Sequence, residues 1–166
     1  MPERTPAAKP GRPRDPNAPP KPKRPRDELG RPLAWDSEGR LALEDFDSMS
    51  LDQNHGLGIK HFDAEEFFPA HEAWETCWKQ AKGTPDAEFF KGLSQLGAGY
   101  VHHQRGNPHG AYTLLRRGSG RIARYPKGHQ GVDAPGLAEA ASSQAAEIEA
   151  AEKDGQPAPT LRYPKI

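Results

Sequence analysis

The feature that most limits how this chain can fold is the uneven distribution of its large apolar residues. Leu, Ile, Val and Phe make up 24 of the 166 residues, about 14%, which is below the roughly 20% expected of a chain that packs a core throughout. Residues 57–125 nevertheless hold 13 of these 24, with two of the three Trp and three of the four Tyr. We therefore predict a packed core in this stretch and not along the whole chain.

The first part of the chain has the opposite composition. Residues 1–32 contain ten of the 18 prolines and nine basic residues against four acidic ones. Such a segment buries too little apolar surface to offset its conformational entropy. We therefore predict a disordered, basic, Pro-rich arm over residues 1–34, a poorly ordered linker over 35–55, a helical domain over 56–153 and a C-terminal tail over 154–166.

Composition also excludes several classes of protein. The longest uncharged apolar run is far shorter than the roughly 18 residues of a membrane-spanning helix, so no membrane partner is expected. The single cysteine, Cys77, excludes a disulfide framework and a cysteine-based zinc site. The first residues are basic but lack an apolar segment typical of a secretory signal. These observations favour a cytoplasmic protein.

Within residues 56–153, apolar side chains recur at helical spacing, and we predict an all-α fold: a small antiparallel bundle of about four helices. The predicted helix starts are a capping box at Asp63, Thr84-Pro85, Asn107-Pro108 and Asp133. No stretch alternates with the period of two that predicts a strand. The Gly118-Ser119-Gly120 run is expected to interrupt the third helix.

The second predicted helix contains three glycines, Gly92, Gly97 and Gly99. Each lowers helix stability by about 1 kcal/mol relative to Ala. Three such residues in one helix indicate that another helix backbone approaches closely. Gln95 and His102 lie on the face that carries Gly92 and Gly99, so we predict that this face meets the first helix.

The first predicted helix contributes a cluster of polar residues to that contact. His71 and Glu75 are four residues apart and share a helix face, with Glu72 displaced by about 100°. The candidate polar site therefore consists of His71, Glu72, Glu75, Gln95 and His102. Asn107 is expected to cap the third helix or to form the turn before it.

Three interpretations of this cluster remain open. The default is a structural polar network in a binding or interaction module, because a lone histidine on an apolar face is usually a satisfied core residue. The second is a divalent-metal site with His71, Glu75 and His102 as ligands and Glu72 assisting, which would suit a hydrolase-like enzyme. The third is a metal-free acid–base pair of His71 and Glu75. No cofactor other than a divalent metal is indicated.

The same residues carry a family resemblance. The segment from Phe62 to Trp78, with Ala70-His71-Glu72-x-Trp74-Glu75 at its centre, resembles the first-helix signature of the domain-of-unknown-function 309 family. Phe90-Lys91-Gly92-Leu93-x-Gln95-Leu96 and His102-x-x-Arg105-Gly106-Asn107 are similar to its second and third helices. The resemblance spans roughly residues 56–140 and implies a small all-helical bundle, with no activity assigned to the family. It also implies that His71, Glu72, Glu75, Gln95, His102 and Asn107 are the family's recurring polar residues.

The arm itself suggests one further partner. Residues 21–26 read Lys-Pro-Lys-Arg-Pro-Arg, a basic run that can contact nucleic acid or another polyanion through phosphate charge. Such contact would be weak, independent of base sequence and strongly salt-dependent.

Overall fold

The computed structural model describes residues 24–166, which are mostly helical, as predicted. In this part of the chain a short 3₁₀ helix, Phe46–Ser48, is followed by α1 (Leu51–Asp63), α2 (Phe67–Gln80), α3 (Ala87–Gln104), α4 (Pro108–Ile122), β1 (Lys127–His129), β2 (Val132–Asp133) and α5 (Ala134–Lys153). Each helix packs mainly on its neighbour in sequence, α1 on α2 and so on to α5. The prediction of disorder for residues 1–23 lies outside the described residues.

Helix α1 is the element that the apolar pattern missed, and it makes five helices in the described residues instead of about four. It begins inside the predicted linker 35–55, after a capping box formed by Ser50 and Gln53. Its buried residues include Asn54, His55 and Gly58. A buried face made of amide, imidazole and glycine has no helical apolar period, so the sequence pattern could not identify it.

The boundary between the first two helices also differs from the prediction. Asp63 ends α1 and does not cap the next helix, and the chain then turns through Glu65 with φ of 61°. Helix α2 starts at Phe67, and its N-cap residue Glu66 makes no side-chain capping bond. Pro69 therefore lies in the first turn of α2, where its missing N–H leaves no helical hydrogen bond broken.

The later helix starts follow local sequence signals more closely. Asn107 and Asp133 accept hydrogen bonds from the backbone N–H of Gly110 and Gly136, as expected of N-caps followed by proline. Thr84 is not the N-cap of α3, which begins at Ala87 after a turn in which the Thr84 hydroxyl accepts from the backbone N–H of Asp86.

Close helix contacts at glycine are confirmed, but they involve two different neighbours. A Cβ on Gly97 would lie 3.1 Å from the backbone nitrogen of His71 on α2, whereas Gly92 and Gly99 face α4. A Cβ on Gly118 of α4 would lie 2.8 Å from the carbonyl oxygen of Gly92. The expected interruption at residues 118–120 is therefore wrong: α4 is continuous there, and Gly118 allows the two backbones to approach.

A small β-hairpin departs from the all-α prediction. Strands β1 and β2 pair antiparallel, with Lys127 opposite Asp133 and His129 opposite Val132. The turn uses positive φ at Gln130 and Gly131. Strands of three and two residues are too short for an alternating pattern to appear in the sequence.

The core consists of the fully buried aromatic and aliphatic side chains of the helices and of β2. The largest are Trp74, Tyr100, Phe62, Phe67, Phe89, Phe90, Leu93, Leu96, Leu115, Ile122, Ile148 and Val132. Cys77 is also completely buried and free, as a small apolar residue. In the described part of the chain, none of the helices combines the length and apolar character needed to span a bilayer.

Both flanking segments lie against the helices where they are described. In residues 24–34 of the predicted arm, Asp27 and Gly30 are buried, and the Leu29 carbonyl accepts hydrogen bonds from Arg105. In the predicted tail 154–166, Leu161 is buried and the Tyr163 ring packs edge-on against core rings. The described part of each segment is therefore attached to the helical domain.

Candidate functional site

His71 lies on α2 with one ring nitrogen held by α3. Its Nδ1 is 2.9 Å from both the carbonyl oxygen and the hydroxyl oxygen of Ser94. The Ser94 hydroxyl also lies 3.2 Å from the His71 carbonyl oxygen, to which it donates. Because a carbonyl can only accept, Nδ1 carries the hydrogen and donates it to Ser94. The lone pair of the neutral ring is therefore on Nε2, which points away from α3.

Two carboxylates from the same helix lie beside His71. His71 Nε2 is 3.6 Å from Glu75 Oε2, too long for a hydrogen bond. One ligand atom from each of His71, Glu72 and Glu75 lies within 4.8 Å of the others. Lys79 approaches the other oxygen of Glu75 at 3.6 Å. We call His71, Glu72 and Glu75 the His71 cluster.

The His71 cluster can hold a small divalent cation after its side chains adjust. Ligand atoms that bind one such ion at 2.0–2.2 Å in tetrahedral geometry are about 3.3–3.6 Å apart. Side-chain rotations that move the ligand atoms closer together by about 1 Å would bring the cluster from its 4.8 Å spacing to that distance. The His71 and Glu75 side chains are 25% and 34% exposed, so an ion can reach them from solvent.

His102 lies on α3 beside a small pocket that it shares with His71. The pocket has a volume of about 120 Å³ and is lined by Phe68, His71, Ala98, Val101, His102 and Arg105; we call it the Arg105 pocket. The pKa of His102 is lowered by burial first, and then by the positive charge of Arg105 and by electrostatic interaction with His71. His102 is therefore next to the His71 cluster without being one of its three members.

Asn107 fixes the orientation of His102. The Asn107 side-chain oxygen accepts from the N–H of Gly110, which leaves its amide N–H to donate to His102 Nδ1 at 3.0 Å. His102 Nδ1 therefore accepts, and its hydrogen is on Nε2. Asn107 thus both caps α4 and sets the tautomer of a pocket residue.

Gln95 is the candidate residue whose observed contacts lead elsewhere. Its side-chain oxygen accepts from Arg121 Nη1 on α4 at 3.1 Å, and Arg121 also pairs with Glu88 at 3.0 Å. The reason is that the face of α3 that carries Gln95 packs against α4. The structure therefore groups His71, Glu72 and Glu75, adds His102 through the adjacent pocket, and directs Gln95 to α4.

Sequence reasoning missed three residues that shape the site: Ser94, Phe68 and Arg105. A signal for Ser94 was present, because it lies three residues before Gly97 on the face of α3 that approaches α2. Arg105 belongs to the Arg-Gly-Asn run of the family resemblance. Its part in the pocket depends on tertiary packing, which the run itself does not encode.

A second histidine provides a contrast. His55 is buried; its Nε2 lies 2.8 Å from the Gln130 carbonyl oxygen, and its Nδ1 accepts from Trp74 Nε1 at 3.0 Å. Both ring nitrogens are therefore satisfied in the neutral form, and burial lowers the pKa of His55. This is the structural polar network that the sequence suggested for His71.

Comparison with protein families matches residues 56–114 to the family described as "Domain of unknown function (DUF309)". The family resemblance is therefore confirmed, over a shorter stretch than residues 56–140. All six recurring polar residues, from His71 to Asn107, lie within the matched range. No curated protein and no solved structure matches the chain.

Proposed function

We propose that this chain, which carries the DUF309 region over residues 56–114, binds a divalent cation at the His71 cluster. The observation that carries the proposal is the hydrogen bond between His71 Nδ1 and the Ser94 carbonyl. Histidines that ligate metals usually donate their second ring N–H to a carbonyl or carboxylate, which fixes the ring and directs the other nitrogen to the ion. Here that other nitrogen lies 3.6 Å from the Glu75 carboxylate, and Glu72 belongs to the same cluster.

The structural interpretation explains His55 better than it explains His71. At His55 every ring nitrogen has a partner within 3.0 Å. At His71 a lone pair faces the Glu75 carboxylate at 3.6 Å, an arrangement of two acceptors that is favourable only with a proton or a cation between them. The partial exposure of both side chains supports an ion from solvent over a closed network.

The ligand set narrows the kind of ion. One imidazole nitrogen and two carboxylate oxygens are a mixed set that suits Zn²⁺, Mn²⁺ or Fe²⁺ better than a soft metal. Three protein ligands leave at least one coordination position open, which is typical of catalytic sites and not of closed structural ones. When bound, such an ion can activate water for hydrolysis.

The test is metal binding by the full-length chain. Protein purified without chelator should contain about one divalent metal per chain by elemental analysis, or should bind Zn²⁺ or Mn²⁺ with that stoichiometry by calorimetry. His71→Ala and Glu75→Gln should abolish the binding. His109→Ala is the matched control, because His109 is an exposed histidine of α4 that pairs with Tyr112.

Two results would contradict the proposal. One is a wild-type chain that neither retains nor binds a divalent metal near one per chain. The other is binding that survives both cluster substitutions. If the wild-type chain binds no metal, and His71→Ala lowers the free energy of unfolding by about 1–3 kcal/mol, the cluster is a structural polar network.

A metal-free acid–base pair of His71 and Glu75 is the second candidate, favoured by their 3.6 Å ion-pair geometry. In that case a proton occupies the position assigned to the cation. The metal titration separates the two candidates, since only the metal centre gives saturable binding that both substitutions remove.

A further inference from the structure

The Arg105 pocket directly adjoins the His71 cluster, because His71 belongs to both. The pocket volume of about 120 Å³ is well above the ~10–15 Å³ that one ordered water requires. A chemical group of several heavy atoms therefore fits beside the proposed cation site. The polar groups that face this space decide which group would be favoured.

Two of the residues that line the pocket, His102 and Arg105, carry hydrogen-bond donors. His102 carries its hydrogen on Nε2, because its Nδ1 accepts from Asn107. Arg105 donates through Nε and Nη2 to the Leu29 carbonyl, at 3.2 and 2.9 Å. Among its contacts with residues 24–166, the Nη1 group of Arg105 has no acceptor. The residues that line the pocket therefore carry one imidazole N–H and one guanidinium N–H group that are not used by these hydrogen bonds among residues 24–166.

Two arginine side chains place positive charge beside the pocket. The guanidinium groups of Arg26 and Arg105 lie 5.1 and 6.0 Å from the centre of the Phe68 ring. The nearby carboxylate, Asp27, is engaged by the Arg31 guanidinium at 2.6 Å and by the backbone N–H groups of Leu29 and Arg31. Asp27 thus forms its close ion pair with Arg31, and its attraction for Arg105 acts over a longer distance.

From this arrangement we infer that the Arg105 pocket binds an oxyanion, the phosphoryl or carboxylate group of a small-molecule ligand. The inference rests on the proposed cation site, because Glu72 and Glu75 would repel an anion unless a cation neutralises them. With the cation bound, the anion has positive charge on both sides, from the metal and from Arg105. Arginine is the side chain best suited to such oxyanions, because its N–H groups match their geometry.

The experiment titrates inorganic phosphate, and separately acetate, into the Mn²⁺-loaded full-length chain by calorimetry at constant ionic strength. We expect saturable binding of one anion that is weaker without Mn²⁺. Arg105→Lys should weaken it by about tenfold to a hundredfold, the range for one charge-assisted hydrogen bond, while Mn²⁺ binding stays unchanged. Arg116→Lys is the matched control, because Arg116 pairs with Glu149 on α5.

The second variant, His102→Phe, removes the other donor and keeps the inference testable if Arg105→Lys does not fold, which circular dichroism would show. Tighter binding of phosphate than of acetate would assign a phosphoryl ligand, and the reverse a carboxylate. A chain that binds Mn²⁺ but neither anion would overturn the inference and leave the metal proposal intact. Anion binding unaffected by both variants would overturn it as well.

If Mn²⁺ does not bind, the metal proposal fails, and phosphate titrated into the metal-free chain then tests the pocket by itself. Binding that Arg105→Lys weakens would still support an oxyanion pocket. No binding would reject the pocket together with the metal centre.

Discussion

The close contact between α3 and α4 allows a quantitative test with two glycines of one helix. A Cβ on Gly118 would lie 2.8 Å from the carbonyl oxygen of Gly92 and 2.8 Å from Leu96 Cδ2. A Cβ on Gly120, two residues later in α4, would meet nothing within 4 Å. Gly118→Ala and Gly120→Ala therefore make the same chemical change in a crowded and in an open position.

The expected free energies follow from two contributions. Each substitution gains about 1 kcal/mol of helix propensity, because Ala restricts the unfolded chain more than Gly does. Only Gly118→Ala adds an overpacking penalty of about 1–3 kcal/mol, since a backbone carbonyl cannot rotate away from the new methyl group. Gly120→Ala should be about 1 kcal/mol more stable than wild type, and Gly118→Ala about 1–3 kcal/mol less stable than Gly120→Ala.

The measurement is urea unfolding of both variants followed by far-ultraviolet circular dichroism. The difference between the two variants isolates the packing penalty, because the propensity gain cancels. For a chain of this size, each 1 kcal/mol corresponds to a Tm change of about 2–4 °C. Equal stability of the variants, or a more stable Gly118→Ala, would refute the conclusion that glycine allows the α3–α4 approach.

Three other predictions follow from single side chains. The pKa of His55 is below its ordinary value of 6.5 because the ring is buried, so its contribution to stability is present above about pH 6.5 and is lost as the pH falls below it. The free energy of unfolding, measured in urea at pH 5 and at pH 7.5, should change less with pH in His55→Gln than in wild type, because glutamine cannot bind that proton. An equal change in the two proteins would contradict the assignment. Burial raises the pKa of Cys77 to about 12, so a thiol reagent should label the folded chain far more slowly than the urea-unfolded chain; equally fast labelling would show that the thiol is accessible. Ser94→Ala removes the hydroxyl but keeps the backbone carbonyl that accepts from His71 Nδ1, so it should reduce the metal affinity of the His71 cluster by less than the roughly 10- to 100-fold typical of losing a residue that orients a ligand; a loss of that size by calorimetry would show that the hydroxyl, and not the carbonyl, orients the ring.

Local interactions account for the parts of the fold that the sequence predicted. Asn107 and Asp133 accept from backbone N–H groups only three residues away, so residue type and spacing suffice to place the starts of α4 and α5. The i, i+4 relation of His71 and Glu75 is equally local. By contrast, α1 buries His55 and Gly58 against Trp74, on another helix. No pattern within α1 could indicate that partner.

The candidate site likewise combines features that local sequence predicts with features that only tertiary packing produces. Sequence alone determined that His71 and Glu75 share one face of a helix, because helix geometry brings residues four apart together, and that Glu72 is displaced from that face by about 100°. Only the tertiary structure decided that Ser94 orients His71, that Arg105 borders the adjacent pocket and that Gln95 turns to α4. The physical reason is that helical periodicity specifies which residues share a face, whereas packing against particular neighbours decides what that face meets. Helix α3 has neighbours on two sides, and its sequence could not say which side faces which helix.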